Sequence, residues 1–235
     1  MTHYLYAVVD RLPGRWRPPA AGIAGTSVVP RRLHDVIVLG SLLDHVPPAT
    51  PRTLAQHQDV VATLVDAPAT LPVRYGTTVP TLELPDWVAG NRALIVAGLA
   101  AVRGCVEMTV KLLRLDGAIP QPLAGRDRAG RPDGAAEREL RTLAEALAER
   151  AAVRQWRYHP SGSAGNVAAA VAFLVPRPDL PGFLGRIAPV ASHAAGVAVV
   201  PTGPWAPASF VPDLDGTPRP RLAHDTLAGA HRRVG

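Results

Sequence analysis

Cysteine is almost missing from this 235-residue chain, Cys105 being the single one. No internal disulfide can form, and a reducing compartment is the natural setting. No stretch reaches about 18 uninterrupted apolar residues, the length that marks a membrane-crossing helix. The opening MTHYLYAVVDRLPGRW lacks a basic segment followed by a continuous apolar run. The chain is therefore expected to be soluble, cytoplasmic and without membrane contact. Lysine is as scarce as cysteine: Lys111 stands alone against 24 arginines. With abundant alanine and proline, that imbalance matches the codon usage of a GC-rich genome. The net charge of +6 and pI near 10.4 therefore do not by themselves indicate nucleic acid. Residues 1–100 hold 8 arginines and 7 acids, leaving 17 basic and 12 acidic residues for the rest. The surplus lies in a Gly/Pro-rich stretch (Arg126, Arg128, Arg131) and in the tail (Arg219, Arg221, Arg232, Arg233).

What is present is enough to fold. Hydrophobic residues make up 47% and charged ones 19%, far from the disordered class. The length accommodates two domains of about 100 residues each. In the first half, His3 to Val9 reads as a strand, and Val28-Val29 and Val36 to Leu39 as short ones. From Thr53, a candidate N-cap, the residues Leu54, His57, Val60, Val61, Leu64 and Val65 recur at helical spacing. Leu71 to Tyr75 is a strand that Pro72 assigns to an edge, with Leu71, Val73 and Tyr75 on one face. Asp86 is placed to cap a second helix with an apolar stripe of Val88, Ile95, Leu99 and Val102, which Gly104 ends.

The second half opens with a strand over 105–113. Val106, Met108, Val110 and Leu112 point one way; Glu107, Thr109 and Lys111 point the other, where a Glu107–Lys111 salt bridge is the simplest account. Residues 116–134 read as a low-complexity linker, and 135–153 as a helix with Leu140, Leu143, Leu147 and Ala151 inward and Glu137 facing Arg141. Strands at 155–159 and 166–175 follow, joined through a Gly/Ser-rich hairpin loop. A short helix from about Asp179 must kink or end at Pro189, before a last strand, Val197 to Val200. This order, β-α-β-β-α-β, is the split βαβ or ferredoxin-like arrangement. The fold class is therefore α+β, in two domains: residues 1–103, a ferredoxin-like domain at 104–211, and a short proline-rich C-terminal tail at 212–235, with room for a short helix near 221–232.

Strand 166–175 is apolar on both sides, with Val167, Val171, Phe173 and Val175 on one and Ala168, Ala170, Ala172 and Leu174 on the other. A face covered only by water would not need that second row. It is expected to be covered, by the N-terminal domain or by a partner.

No catalytic constellation emerges. The eight histidines contain no His-x-x-x-His pair and have no cysteine at metal spacing, so no metal or other cofactor is expected. His57 lies in a helix stripe and reads as a hydrogen-bonded core or boundary histidine before it reads as a base. Cys105 lacks an evident activating base. Ser161 to Gly165 is neither a Walker A sequence nor a nucleophile elbow.

Two motifs exceed what composition explains: LPVRYGT at 71–77 and TGPWAPASFV at 202–211. They resemble the signatures Leu-Pro-x-Arg-Phe/Tyr-Gly-Thr and Thr-Gly-Pro-Trp-Pro-Pro-Tyr-Ser-Phe-Val of the GvpF/GvpL family of gas vesicle proteins. Collinear support comes from YLYAVV with GIAG, from GCVEMTVKL, similar to the family's Gly-x-x-Glu-x-x-Val-Lys, and from VAAAVAFLV. The resemblance covers about the first 211 residues, with Ala206 and Ala208 standing where the family has proline and tyrosine.

The resemblance implies a non-enzymatic accessory or minor structural protein of the gas vesicle. It would bind the hydrophobic shell protein GvpA, with other gas vesicle accessory proteins as further candidate partners, and assist assembly. The positions it singles out are Arg74, Tyr75, Gly76 and Thr77 in the first motif, and Gly203, Pro204, Trp205 and Phe210 in the second. Ala168 and Ala170 join them from the second apolar row. Arg74 is either an exposed partner contact or half of a structural ion pair. Gly76 is expected to allow a backbone geometry closed to other residues. Trp205 and Phe210 are expected to bury as anchors between the domains. Two rival readings are a ferredoxin-like nucleic-acid-binding domain and a small-molecule enzyme. The first lacks aromatics on the exposed sheet face, which would carry Glu107, Thr109 and Lys111 beside Ala168, Ala170 and Ala172, and no specific nucleic-acid partner is expected. The second lacks an acid-base or metal set.

Overall fold

The computed structural model describes residues 1–115, 134–160, 167–193 and 196–214. The Gly/Ser-rich loop and the tail beyond 214 lie outside them. So does the expected linker, except that Gly134 already belongs to a helix. The fold is mixed α/β with two antiparallel sheets, in two compact units. The first unit holds Met1–Leu64, Leu71–Ala101 and 211–214; the second holds Val65–Thr70 and Val102–Phe210.

In the first unit, β1 (Thr2–Val9), β2 (Val29–Leu33), β3 (Val36–Leu43), β4 (Thr70–Pro72) and β5 (Thr78–Pro80) form one sheet in the order β2-β3-β1-β4, with β5 also paired to β1. Every residue of β1 from Tyr4 to Val9 is fully buried, because this strand sits inside the sheet. The proline-bearing β4 takes an edge, where a missing N–H costs no ladder bond.

Helix α1 (Pro51–Ala62) starts earlier than its apolar stripe indicates, and its N-cap is Thr50, not Thr53. The Thr50 hydroxyl accepts from the Thr53 N–H at 3.2 Å, and the Thr50 N–H donates to the Thr53 hydroxyl at 2.9 Å. This is a reciprocal capping box with Pro51 just inside the helix, where its fixed φ is favourable. His57, Val60, Val61 and Leu64 are buried as expected, whereas Leu54 is exposed.

The second apolar stripe belongs to two helices, α2 (Leu84–Gly90) and α3 (Arg92–Val102), separated at Asn91, whose side-chain amide donates to the Trp87 carbonyl at 2.9 Å. The N-cap of α2 is Glu83, and Asp86 lies in its first turn.

The second unit runs β6 (Cys105–Arg114), α4 (Gly134–Ala151), β7 (Trp156–Pro160), β8 (Val167–Pro176), α5 (Leu180–His193) and β9 (Val197–Trp205). Its strands lie in the order β7-β8-β6-β9, all pairs antiparallel. The alternation in β6 holds: Met108, Val110 and Leu112 join Val171, Phe173 and Val175 of β8 in one core. Leu140, Ala144, Leu147 and Ala151 of α4 and Phe183 and Ile187 of α5 close it. Glu137 and Arg141 pair at 3.7 Å along α4. Helix α5 does not end at Pro189; it runs four residues further, to His193. The proline removes one ladder bond there, and the packed face with Phe183 and Ile187 sustains the helix across it.

Phe173 lies at the centre of this core, fully buried and 5.3 Å from the Phe183 ring. Replacing Phe173 by alanine should lower stability by about 3–5 kcal/mol, the usual cost of emptying a buried aromatic site. A denaturant melt measures this, and a loss below about 1 kcal/mol would contradict the packing described.

Candidate functional site

The first motif surrounds a cluster of Tyr4, Tyr6, His57 and Tyr75, with ring centroids 5.0–5.8 Å apart. His57 Nε2 lies 3.0 Å from the Val73 carbonyl, which can only accept, so the proton sits on Nε2. Nδ1 is then an acceptor, and the Tyr4 hydroxyl donates to it at 2.7 Å. The same hydroxyl receives the Gly76 N–H at 3.4 Å. The chain of donors from Gly76 through Tyr4 and His57 to Val73 thus has one consistent direction. Burial holds His57 neutral, its pKa down at about 4, and pushes the Tyr4 phenol up.

Around this cluster the motif closes a turn. Gly76 has φ +90, in the left-handed region that favours glycine. The Thr77 hydroxyl donates to the Arg74 carbonyl at 2.9 Å, and Tyr75 donates to the Pro47 carbonyl at 2.9 Å. Arg74 faces Asp213 at 3.9 Å with its own side chain half exposed, a pair worth under about 1 kcal/mol.

The second motif builds around Glu107. This carboxylate is only 7% exposed. It accepts from the Ser209 N–H at 2.8 Å, from the Ser209 hydroxyl at 2.9 Å and from Thr109 at 3.4 Å. Burial raises its pKa, and the Ser209 bonds oppose that rise. The expected Glu107–Lys111 salt bridge is not formed. A Ser209 donor pair reaches the carboxylate inside, while Lys111 stays exposed on the same strand. Gly203, at φ +125, lets β9 lie close to β6: a Cβ there would stand 2.9 Å from the Glu107 carbonyl and 2.9 Å from Met108 Sδ. Pro204 follows it through a cis bond.

Trp205 departs from expectation. The residue is 48% exposed, because β9 is an edge strand with β6 on one side only. Phe210 is buried as expected, under the Arg157 guanidinium at 5.5 Å. Among the alanines, Ala170 is half-buried on the side opposite the helices, while Ala168, beside a register shift in the β6–β8 pairing, packs against the helix-side core. On that second side Ala172 and Leu174 are buried. Sequence reasoning missed the Ser209–Glu107 lock and the Tyr4–His57 link; a serine inside the second motif was the only signal for the first.

Among the described residues, no group of three or more His, Cys, Asp or Glu is placed to hold a metal ion. No helix among them is long and apolar enough to cross a membrane. Burial also raises the Cys105 thiol, away from thiolate reactivity.

The family model for gas vesicle synthesis protein GvpL/GvpF matches residues 2–136 and 123–212. The chain belongs to this family. Both motif regions of the GvpL/GvpF chain fall within the match. Comparison with curated proteins finds no match. Among solved structures, gas vesicle protein GvpF from Microcystis aeruginosa is similar with a TM-score of 0.66 at 14% identity, over 89% of this chain and 98% of that one. GvpF from Anabaena sp. PCC7120 is similar with a TM-score of 0.68 at 16% identity, over 89% and 95%. At these identities the likeness shows a shared fold.

Two outcomes follow from the geometry of this GvpL/GvpF chain. A histidine held near pKa 4 in the fold and near 6.5 when unfolded lets the unfolded state take up more protons between those values. Stability should therefore fall as pH drops from about 6.5 to 4, by on the order of 3 kcal/mol in total. Glu107 shifts in the opposite sense, so the readout is the difference between wild-type and His57→Gln profiles, which should be flatter in the variant; parallel profiles would contradict the assignment. Trp205→Ala should cost under about 1 kcal/mol, as for an exposed side chain, and a loss of several kcal/mol in a melt would show that the ring is an anchor.

Proposed function

We propose that this protein is a gas vesicle accessory or minor structural protein that binds the hydrophobic shell protein GvpA, with other gas vesicle accessory proteins as further candidate partners, and assists assembly without catalysis. Family membership over residues 2–212 carries the reading. It works where vesicles are built, in the cytoplasm and at the gas vesicle. The motif residues Arg74, Tyr75, Gly76 and Thr77, and Gly203 with Pro204, serve mainly to shape the fold. Tyr75 and Thr77 bond to backbone carbonyls, Arg74 pairs with Asp213 and Gly203 lets β9 approach β6, and a shaped scaffold is what a binding protein requires. Exposed Trp205 moves from anchor to candidate partner contact.

The domain division that accompanies this reading is an N-terminal α+β domain at 1–103, a ferredoxin-like domain at 104–211 and a tail from 212. The strand order β7-β8-β6-β9, with α4 and α5 inserted as crossovers, supports the ferredoxin-like assignment. The compact units differ from that division by placing Val65–Thr70 and Val102–Arg103 with the second body and residues 211–214 with the first.

Shell protein refolded from denaturant in the presence of equimolar chain should scatter less light than shell protein alone. Equal scattering, with no complex recovered by pull-down, would overturn the assembly role.

A further inference from the structure

The second unit's sheet has two faces of different fate. Helices α4 and α5 cover one. On the other, the register places His159 of β7, Ala170 of β8, Lys111 of β6 and Val200 of β9 in one row across all four strands. Toward the Glu107 end this face is closed by the chain after β9, through Ser209. Toward the Lys111 end it opens. Lys111 is exposed, Val200 is 37% exposed, and Ala170, Leu113 and Ala198 are half-buried. Two aliphatic side chains and two small alanines thus surround the only lysine in the protein.

The charge on this face has one sign. Lys111 and Arg157 stand on it, with His159 in the same row, and the four strands contain a single carboxylate, Glu107, already buried and bonded to Ser209. Among the described residues Lys111 has no ion-pair or hydrogen-bond partner. A segment that covers the aliphatic patch also removes water from the Lys111 ammonium. An ammonium buried without a partner is strongly disfavoured, so the covering segment must bring an acceptor, and a carboxylate forms the strongest such bond.

We propose that this face, centred on Lys111 and Ala170, is the docking surface for the shell subunit, and that the docking segment is aliphatic with an acidic side chain that pairs with Lys111. The inference rests on the reading that the shell subunit is the partner, and it adds the surface and the chemistry of recognition. Ala170, opposite Lys111 on β8, lets the incoming backbone approach closely, while Val200 and Leu113 flank Lys111.

Because Lys111 is unique, carbodiimide coupling of the captured complex reports on it directly: the reagent condenses an amine with a carboxylate, and the N-terminal amine is distinguished by its peptide mass. The expected result is a cross-linked peptide joining Lys111 to an aspartate or glutamate of the shell subunit. Lys111→Glu, at an exposed position, should fold with an unchanged melt and lower capture of the subunit at least about tenfold, whereas Lys111→Arg should retain capture. If wild-type protein captures the subunit, Lys111→Glu captures it equally and no cross-link includes Lys111, the docking surface is wrong and the assembly role stands. If wild-type protein captures no shell subunit, the assembly role fails and this inference with it.

Discussion

A carboxylate buried in a sheet must find donors, and in this protein that requirement shapes the second unit. Glu107 lies on the central strand β6, on the face away from the helices. Without partners its burial would be costly. Ser209 supplies two donors, but only if the chain leaving β9 turns back over the sheet. The close approach at Gly203, the burial of Ala206 and the seating of Phe210 beneath Arg157 all belong to that return. The second motif is thus a closure device, and its most conspicuous residue, Trp205, stays half exposed.

The same return divides the sheet's outer face. Near Glu107 the surface is closed and Leu174 and Ala172 are buried; near Lys111 it is open. An aliphatic surface around an ammonium that has no partner among the described residues suits an amphipathic partner that brings a carboxylate. Under the proposed assembly role, that partner is the shell subunit.

In the first unit, a directed run of hydrogen bonds takes the corresponding role. Gly76 donates to Tyr4, Tyr4 to His57 and His57 to Val73, so the turn of the first motif is tied to the buried strand β1 and to α1. A neutral histidine is the element that makes the direction unique, since protonation would leave the Tyr4 hydroxyl facing a donor. Such a cluster is scaffold chemistry, and it explains an Arg-Tyr-Gly-Thr motif without calling on catalysis.

The sequence by itself determined the local elements and the family. Period-two alternation in β6, helical spacing in α1 and α4, the proline in β4 and the collinear motifs are all properties of neighbouring residues, so they are legible without coordinates. Refinements at element ends depended on side-chain geometry: the cap fell to Thr50 because two threonines bond reciprocally, and α5 outlasted Pro189 because its packed face sustains it. Only the tertiary structure decided the fate of polar and aromatic groups at long range. Glu107 meets Ser209 across 102 residues and Tyr4 meets His57 across 53, and no spacing rule announces such pairs. Burial of Trp205 was likewise undecidable from its residue type, because the cover over an edge strand comes from chain far away in sequence.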